Sequence, residues 1–129
     1  MEIYYAIFYP IQTGWGVQFP DAPAIHTGGK NLDEALAMAV DALSGLMVMG
    51  RKGREYNAPQ GYEAILAEAK AGELVFPVMP NEKNMDTYRP KKRVNVMIPA
   101  DLLEKIDMLK DQKGLDRSKL ICDAVEALF

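Results

Sequence analysis

The chain has 129 residues, of which 49% are hydrophobic and 26% charged, and its formal net charge at pH 7 is −3. This composition is that of an ordinary folded protein and excludes a disordered chain. The sequence has no long apolar run and no cationic stretch before an apolar one, so we expect no membrane span, no secretory signal and a cytoplasmic location. The acidic balance disfavours broad, non-specific binding to nucleic acid, so any DNA contact should be local.

The charges are distributed unevenly along the chain. Residues 1–85 contain six Lys and Arg residues against ten Asp and Glu, whereas residues 86–129 contain nine against eight. Together with the chain length, this predicts a first domain at 1–80, a linker at 81–90 and a second domain at 91–129. The acidic first domain suits a basic protein partner.

The first domain is predicted to have the order β-β-β-α-β. β-branched and aromatic residues predict strands at 3–9, 15–19 and 24–27, with turn residues between them. Apolar periodicity predicts a helix of about 17 residues that starts at Leu32, after Asn31 or Gly29. A shorter helix is expected at 62–71 and a last strand at 74–79. Because a helical connection precedes it, we expect that strand to lie parallel to a neighbouring strand.

Few residues in this domain suggest catalysis. His26 is the only histidine, and no nucleophile can be paired with a base. Asp21 lies in a turn, while Asp33 and Glu34 lie in the first turn of a helix, where acidic side chains favour the helix dipole. Each carboxylate therefore has a structural reason for its position. We expect no catalytic residue, no metal site and no cofactor.

A short strand and two helices are predicted for the second domain. Residues 93–98 alternate between an apolar and an outer face, and the apolar residues are Val94, Val96 and Ile98. Pro99 should open a helix that ends at Gly114, and Asp116 or Ser118 should start another. So short a strand cannot bury its apolar face alone, so it requires a partner.

This order of elements resembles a ribbon-helix-helix DNA-binding domain. The resemblance rests on Lys92-Arg93-Val94-Asn95-Val96-Met97-Ile98-Pro99, on Leu102-Leu103-x-x-Ile106, and on Gly114-Leu115-Asp116-Arg117-Ser118-x-Leu120-Ile121. In that family the strands of two chains pair into a ribbon that enters the major groove, and four helices form a shared core. The implied base contacts are Arg93, Asn95 and Met97, and the implied phosphate contacts are Lys91, Lys92, Arg117 and Ser118. The implied dimer core is Val94, Val96, Ile98, Leu102, Ile106, Ile121 and Val125.

The first domain resembles the N-terminal domain of HicB antitoxins. The matching motifs are Tyr5-x-Ile7-Phe8, Gly14-Trp15-Gly16-Val17-x-Phe19-Pro20-Asp21-x-Pro23, Thr27-x-Gly29-x-x-Leu32-x-Glu34-Ala35-Leu36-x-x-Ala39 and Val75-x-Pro77-Val78. That family has an α+β fold with a partial RNase H-like sheet, and many members end in a ribbon-helix-helix domain. The resemblance implies a non-enzymatic antitoxin and autorepressor, a homodimer or dimer of dimers. It would bind operator DNA and a small basic HicA-type toxin that cleaves messenger RNA. We expect the toxin to contact Trp15, Asp21, Asp33 and Glu34.

Two other functions stay open from the sequence. One is a degenerate or cryptic metal-dependent nuclease with a DNA-binding tail. RNase H chemistry needs several carboxylates around two metal ions, one of them on the first strand, and the strand predicted at 3–9 has none. The other is a stand-alone ribbon-helix-helix transcription factor with a ligand-sensing N-terminal domain.

Overall fold

The computed structural model describes residues 2–129 and contains two compact units that meet between Lys91 and Lys92. The strands of the first unit are β1 (Tyr4–Ile11), β2 (Gly14–Gln18), β3 (His26–Gly29) and β4 (Leu74–Val78). Its helices are α1 (Leu32–Met49), α2 (Tyr62–Glu68) and α3 (Glu82–Tyr88), and the second unit has α4 (Ala100–Lys113) and α5 (Arg117–Glu126). The predicted α+β class is confirmed.

The four strands form one sheet in the order β3-β2-β1-β4, and all neighbouring pairs are antiparallel. The prediction of a parallel last strand is therefore wrong, since β4 pairs with β1 from Val78 opposite Tyr4 to Leu74 opposite Phe8. A single helical connection would have returned the chain for a parallel strand. The segment after α1, which includes α2, adds another passage along the sheet. Consequently β4 starts at the end of the sheet where β3 stops.

The core of the first unit lies between one face of the sheet and α1. Tyr4, Ala6 and Phe8 project from β1 to this face, and they are fully buried together with Ala39 and Leu43 of α1. Each large apolar side chain buried in this way contributes roughly 1.5–3 kcal/mol. The other face is covered in part by α2, whose Ile65 is buried.

Local features of the sequence fix the start of α1. The Asn31 side chain accepts a hydrogen bond from the Glu34 N–H at 2.8 Å, which satisfies one of the free donors of the first turn, so Asn31 is the N-cap. The preceding strand approaches closely, since a Cβ on Gly29 would lie 2.5 Å from the Ala35 nitrogen. Glycine is therefore needed where β3 meets the helix.

The interpretation of residues 81–90 as a linker needs correction, because α3 occupies most of this segment and packs on α1. The fully buried Ser44 hydroxyl donates to the Val40 carbonyl at 2.7 Å and accepts from the Asn81 N–H at 2.9 Å, just before α3. At the other end of α3, the Tyr88 hydroxyl donates to an Asp41 carboxylate oxygen at 2.8 Å. This bond, followed by burial, raises the pKa of Tyr88. The first unit therefore extends beyond residue 80.

The second unit has the two predicted helices but not the predicted strand. α4 follows Pro99 and ends at Gly114, which adopts the left-handed conformation with φ 66°. α5 is capped by Asp116, whose carboxylate accepts from the Lys119 N–H at 2.7 Å, so Ser118 is inside the helix. Residues 89–99 form neither helix nor strand. A strand needs a hydrogen-bonding neighbour, and the described part of this single chain offers none to the segment.

Candidate nucleic-acid interface

We call residues 91–98 the basic arm, since they begin with Lys91, Lys92 and Arg93 between α3 and α4. All three cations are exposed, as are the predicted base-contacting residues Asn95 and Met97, the latter 99% accessible. The arm therefore presents the side chains to which the sequence assigned base and phosphate contacts.

The neighbouring cation Arg89 is engaged within α3. Its guanidinium Nη1 lies 2.6 Å from a Glu82 carboxylate oxygen and 2.5 Å from one of Asp86. These hydrogen bonds, the Glu82 bond first, raise the pKa of Arg89. The cationic stretch seen in the sequence thus divides into a paired Arg89 and the exposed arm.

The apolar face of the second unit is open to solvent in the single chain. Among residues 92–129, only Leu120 is buried. Val94 and Val96 are 75% and 73% accessible. Of the predicted dimer core, the exposed residues are Val94, Val96, Leu102, Ile121 and Val125, and the half-buried ones are Ile98 and Ile106.

Arg117 departs from its predicted role as a phosphate contact. Its Nε and Nη2 atoms lie 2.8 and 2.9 Å from the two carboxylate oxygens of Asp107, so α5 is tied to α4 by a bidentate pair. The hydrogen bond from Arg117 lowers the pKa of Asp107, and the same bond raises the pKa of Arg117. The guanidinium charge is already matched by a carboxylate, so the assignment of Arg117 to phosphate is corrected to a contact between helices.

The start of α5 carries a second carboxylate that bears on phosphate binding. The exposed Ser118 lies two residues after the capping residue Asp116, whose side chain takes up one N–H of the first turn. A helix N-terminus attracts anions through free N–H groups and the positive end of its dipole. The Asp116 charge offsets part of that attraction, so the exposed cations of the arm are the stronger candidates for phosphate.

Asp21 also departs from its predicted role at a partner surface. It is only 4% accessible, and its carboxylate accepts from the Gln60 backbone N–H at 2.9 Å and from the Gln60 side chain at 2.5 Å. Its backbone carbonyl accepts from the Asn57 N–H at 2.8 Å. Asp21 thus fixes the segment that leads into α2, and its side chain is not available to a partner.

The other predicted partner contacts lie at the surface. Trp15 is half-buried and packs against the core, and with Glu34 it lines a cleft of about 450 Å³ that also includes Tyr9 and Lys30. Asp33 is exposed in the same turn of α1 as Glu34. The structure thus brings Trp15 and Glu34 to one surface, while the sequence did not identify Tyr9 and Lys30.

The structure describes two further properties that bear on function. Within residues 2–129, no group of three or more His, Cys, Asp and Glu side chains is close enough to hold a metal ion. In the same range, no helix has both the length and the apolar character needed to cross a membrane.

The match to a family model decides the identification. The model for HicB-like antitoxins of bacterial toxin–antitoxin systems matches residues 6–125. The chain belongs to the HicB-like antitoxin family. This match includes both units, so the two resemblances seen in the sequence belong to one family architecture.

Individual members of the HicB group are also similar to this chain. Antitoxin HicB 2 of Photorhabdus laumondii is 55% identical over 40 residues, which is 27% of this chain and 29% of that relative. The aligned stretch thus spans less than a third of the relative's length. The crystal structure of the Burkholderia pseudomallei antitoxin HicB has 27% identity and a TM-score of 0.49, with 99% of this chain and 97% of that chain covered. A toxin–antitoxin complex from Streptococcus pneumoniae has 18% identity and a TM-score of 0.45, with 98% of each chain covered.

Proposed function

We propose that this HicB-like antitoxin acts by binding and without catalysis. It neutralises a small basic HicA-type toxin that cleaves messenger RNA, and it represses its own operon as a ribbon-helix-helix dimer on operator DNA. The open apolar face of the second unit is the observation that carries the DNA-binding part of the proposal.

Dimerisation follows from the burial in the second unit. Its helices and its arm leave apolar side chains in water on the side predicted to form a core, and a unit of this size cannot fold stably on one buried leucine. Antiparallel pairing of two arms would supply the missing backbone hydrogen bonds and cover Val94 and Val96. The strand that the single chain does not form is the element that a second copy would complete.

Base contacts follow from the alternation of side chains along such a paired strand. With Val94 and Val96 turned inward, Arg93, Asn95 and Met97 face outward on the ribbon. A guanidinium matches the two acceptors of guanine in the major groove, and an Asn amide matches adenine. Met97 offers an apolar contact, for example to a thymine methyl group. Lys91 and Lys92 precede the ribbon and hold phosphates.

Toxin binding is assigned to the first unit on charge and surface shape. Residues 1–85 carry the acidic excess of the chain, and the cleft beside Trp15 and Glu34 offers an aromatic side chain next to a carboxylate. Complementary charge mainly accelerates the encounter with a basic partner, whereas buried apolar contacts supply most of the affinity. A fragment of residues 1–91, which keeps α3 docked, should therefore capture the toxin by itself, and Trp15→Ala should weaken the capture.

The DNA-binding part is tested by separating sequence recognition from phosphate contact. Asn95→Ala should cost roughly 1–3 kcal/mol on the operator and little on a scrambled duplex, because a bidentate base contact carries sequence information. Lys92→Ala is the matched control, which should weaken both complexes equally and lower the salt slope by about one. Fluorescence anisotropy at several salt concentrations measures both effects. Equal losses on the two duplexes for Asn95→Ala would mean that the arm does not contact bases.

A further inference from the structure

The connection between α1 and α2 concentrates positive charge in an otherwise acidic unit. Residues 51–54, here the cationic loop, contain Arg51, Lys52 and Arg54, which are three of the six Lys and Arg residues in 1–85. All three side chains are exposed. Neither DNA contact by the basic arm nor toxin contact at the cleft uses them.

The cationic loop is a compact, hydrogen-bonded turn. The Arg51 carbonyl accepts from the Arg54 and Glu55 N–H groups at 3.1 and 3.0 Å, and the Glu55 carboxylate accepts from the Arg51 N–H at 2.7 Å. Gly53 has φ +84°, a conformation that favours glycine, and its N–H donates to the Tyr56 carbonyl at 2.6 Å. The turn thus holds three cations close together on one short segment.

The base of the loop is anchored in the core of the first unit. Tyr56 packs against the core, and Asn57 is held from both sides. Its N–H donates to the Asp21 carbonyl, and its own carbonyl accepts from the buried Tyr4 hydroxyl, each at 2.8 Å. The buried Asp21 carboxylate then holds Gln60. A fixed loop loses less conformational entropy when it binds a ligand than a mobile one does.

The chemistry of the loop favours an anionic polymer. Within residues 2–129, no ion pair engages the Arg51, Lys52 or Arg54 side chains, so their charges are available. Guanidinium and ammonium groups are well suited to phosphate oxygens. The loop itself contains no aliphatic or aromatic side chain, whereas protein interfaces have an apolar centre and nucleic-acid interfaces are polar and positive. We propose that the cationic loop binds the phosphodiester backbone of nucleic acid, without sequence preference and separately from the basic arm.

A matched pair of variants of the full-length chain tests this proposal. One variant combines Arg51→Ala, Lys52→Ala and Arg54→Ala. The control combines Lys30→Ala, Lys70→Ala and Lys83→Ala, which are the other three cations of residues 1–85 and are also exposed. Both variants remove the same total charge, so only the position of the lost cations differs. The probes are a labelled DNA duplex of random sequence and a labelled single-stranded RNA, titrated at several salt concentrations.

We expect the loop variant to bind at least one probe roughly tenfold or more weakly at low salt, with a salt slope reduced by about one for each lost phosphate contact. The control should stay near the wild-type value. A loss on the duplex assigns the loop to DNA, and a loss on RNA assigns it to RNA. Either result is distinct from the Asn95→Ala test, because neither probe carries the operator sequence.

Three results would overturn the proposal. Equal losses in both variants would reduce the effect to overall charge. Unchanged binding with weaker toxin capture would assign the loop to a protein partner. Unchanged binding with a lower Tm would mean that the cations serve the C-terminal end of α1, whose last turn has no basic residue.

Discussion

The two units of this antitoxin use their apolar residues in opposite ways. In the first unit a four-stranded sheet and α1 enclose Tyr4, Phe8 and Leu43, so the apolar pattern is satisfied within one chain. In the second, α4, α5 and the arm leave most of their apolar side chains in water, and only Leu120 of residues 92–129 is buried. The difference teaches that the first unit can fold on its own, whereas the second has the surface of half a domain.

The largest effect is expected where the second unit depends on its partner. Val96→Lys would place a charge on the face that two arms bury, so residues 93–129 should lose their helices and the chain should become monomeric. Circular dichroism and light scattering measure the two changes. Met97→Lys is the matched control on the outer face and should stay dimeric and helical. A helical, dimeric Val96→Lys variant would remove the distinction between the two faces.

The first unit is expected to respond to core mutation without regard to the second. Phe8→Ala removes a fully buried ring and should lower the free energy of unfolding by about 3–5 kcal/mol. Trp15, the only tryptophan, packs against this core, so its fluorescence during urea unfolding reports the first unit alone. The loss should be the same at all protein concentrations. A concentration-dependent loss would mean that the first unit also relies on a partner.

Local patterns in the sequence predicted most elements of both units. The cap at Asn31, the stop at Gly114 and the alternation at 93–98 each depend on neighbouring residues. The antiparallel pairing of β4 could not be predicted, because it depends on the path of the chain through α2. Helix α3 was missed because its seven residues have no regular apolar stripe, and it is held by Ser44 and Asp41, which lie far away in the sequence.

The candidate site was predictable only in part for similar reasons. The exposed cations and outer residues of the arm follow from composition and alternation, both of which are local. The burial of Asp21 depends on Gln60, which is 39 residues away. The pairing of Arg117 with Asp107 depends on how two helices fold back, and nothing in the sequence distinguishes Asp107 from the other acidic residues of α4.

The smallest effect is expected at the pair between α4 and α5. Because the folded state lowers the pKa of Asp107, the pair stabilises the second unit above the ordinary Asp pKa and is lost as pH falls through the lowered value. Asp107→Asn should therefore lower the Tm slightly at neutral pH and low salt, and the difference should vanish in acid or high salt. Melting curves at a fixed protein concentration measure this. A difference that persists in acid would contradict the ionic origin of the contact.

A companion variant separates the helix contact from phosphate binding. Arg117→Ala should leave the salt slope of DNA binding near the wild-type value, whereas Lys92→Ala should lower it. A reduced slope for Arg117→Ala would restore its assignment to phosphate.

Hydrogen exchange of the full-length chain over a dilution series tests the central claim most directly, because it observes both units in the same sample. Amides of the sheet and α1 should exchange slowly at every concentration, since their protection comes from the chain itself. Amides of the arm, α4 and α5 should be protected at high concentration and lose protection on dilution, as a unit folded only in a dimer must. Protection of the second unit that does not change with dilution would contradict the account.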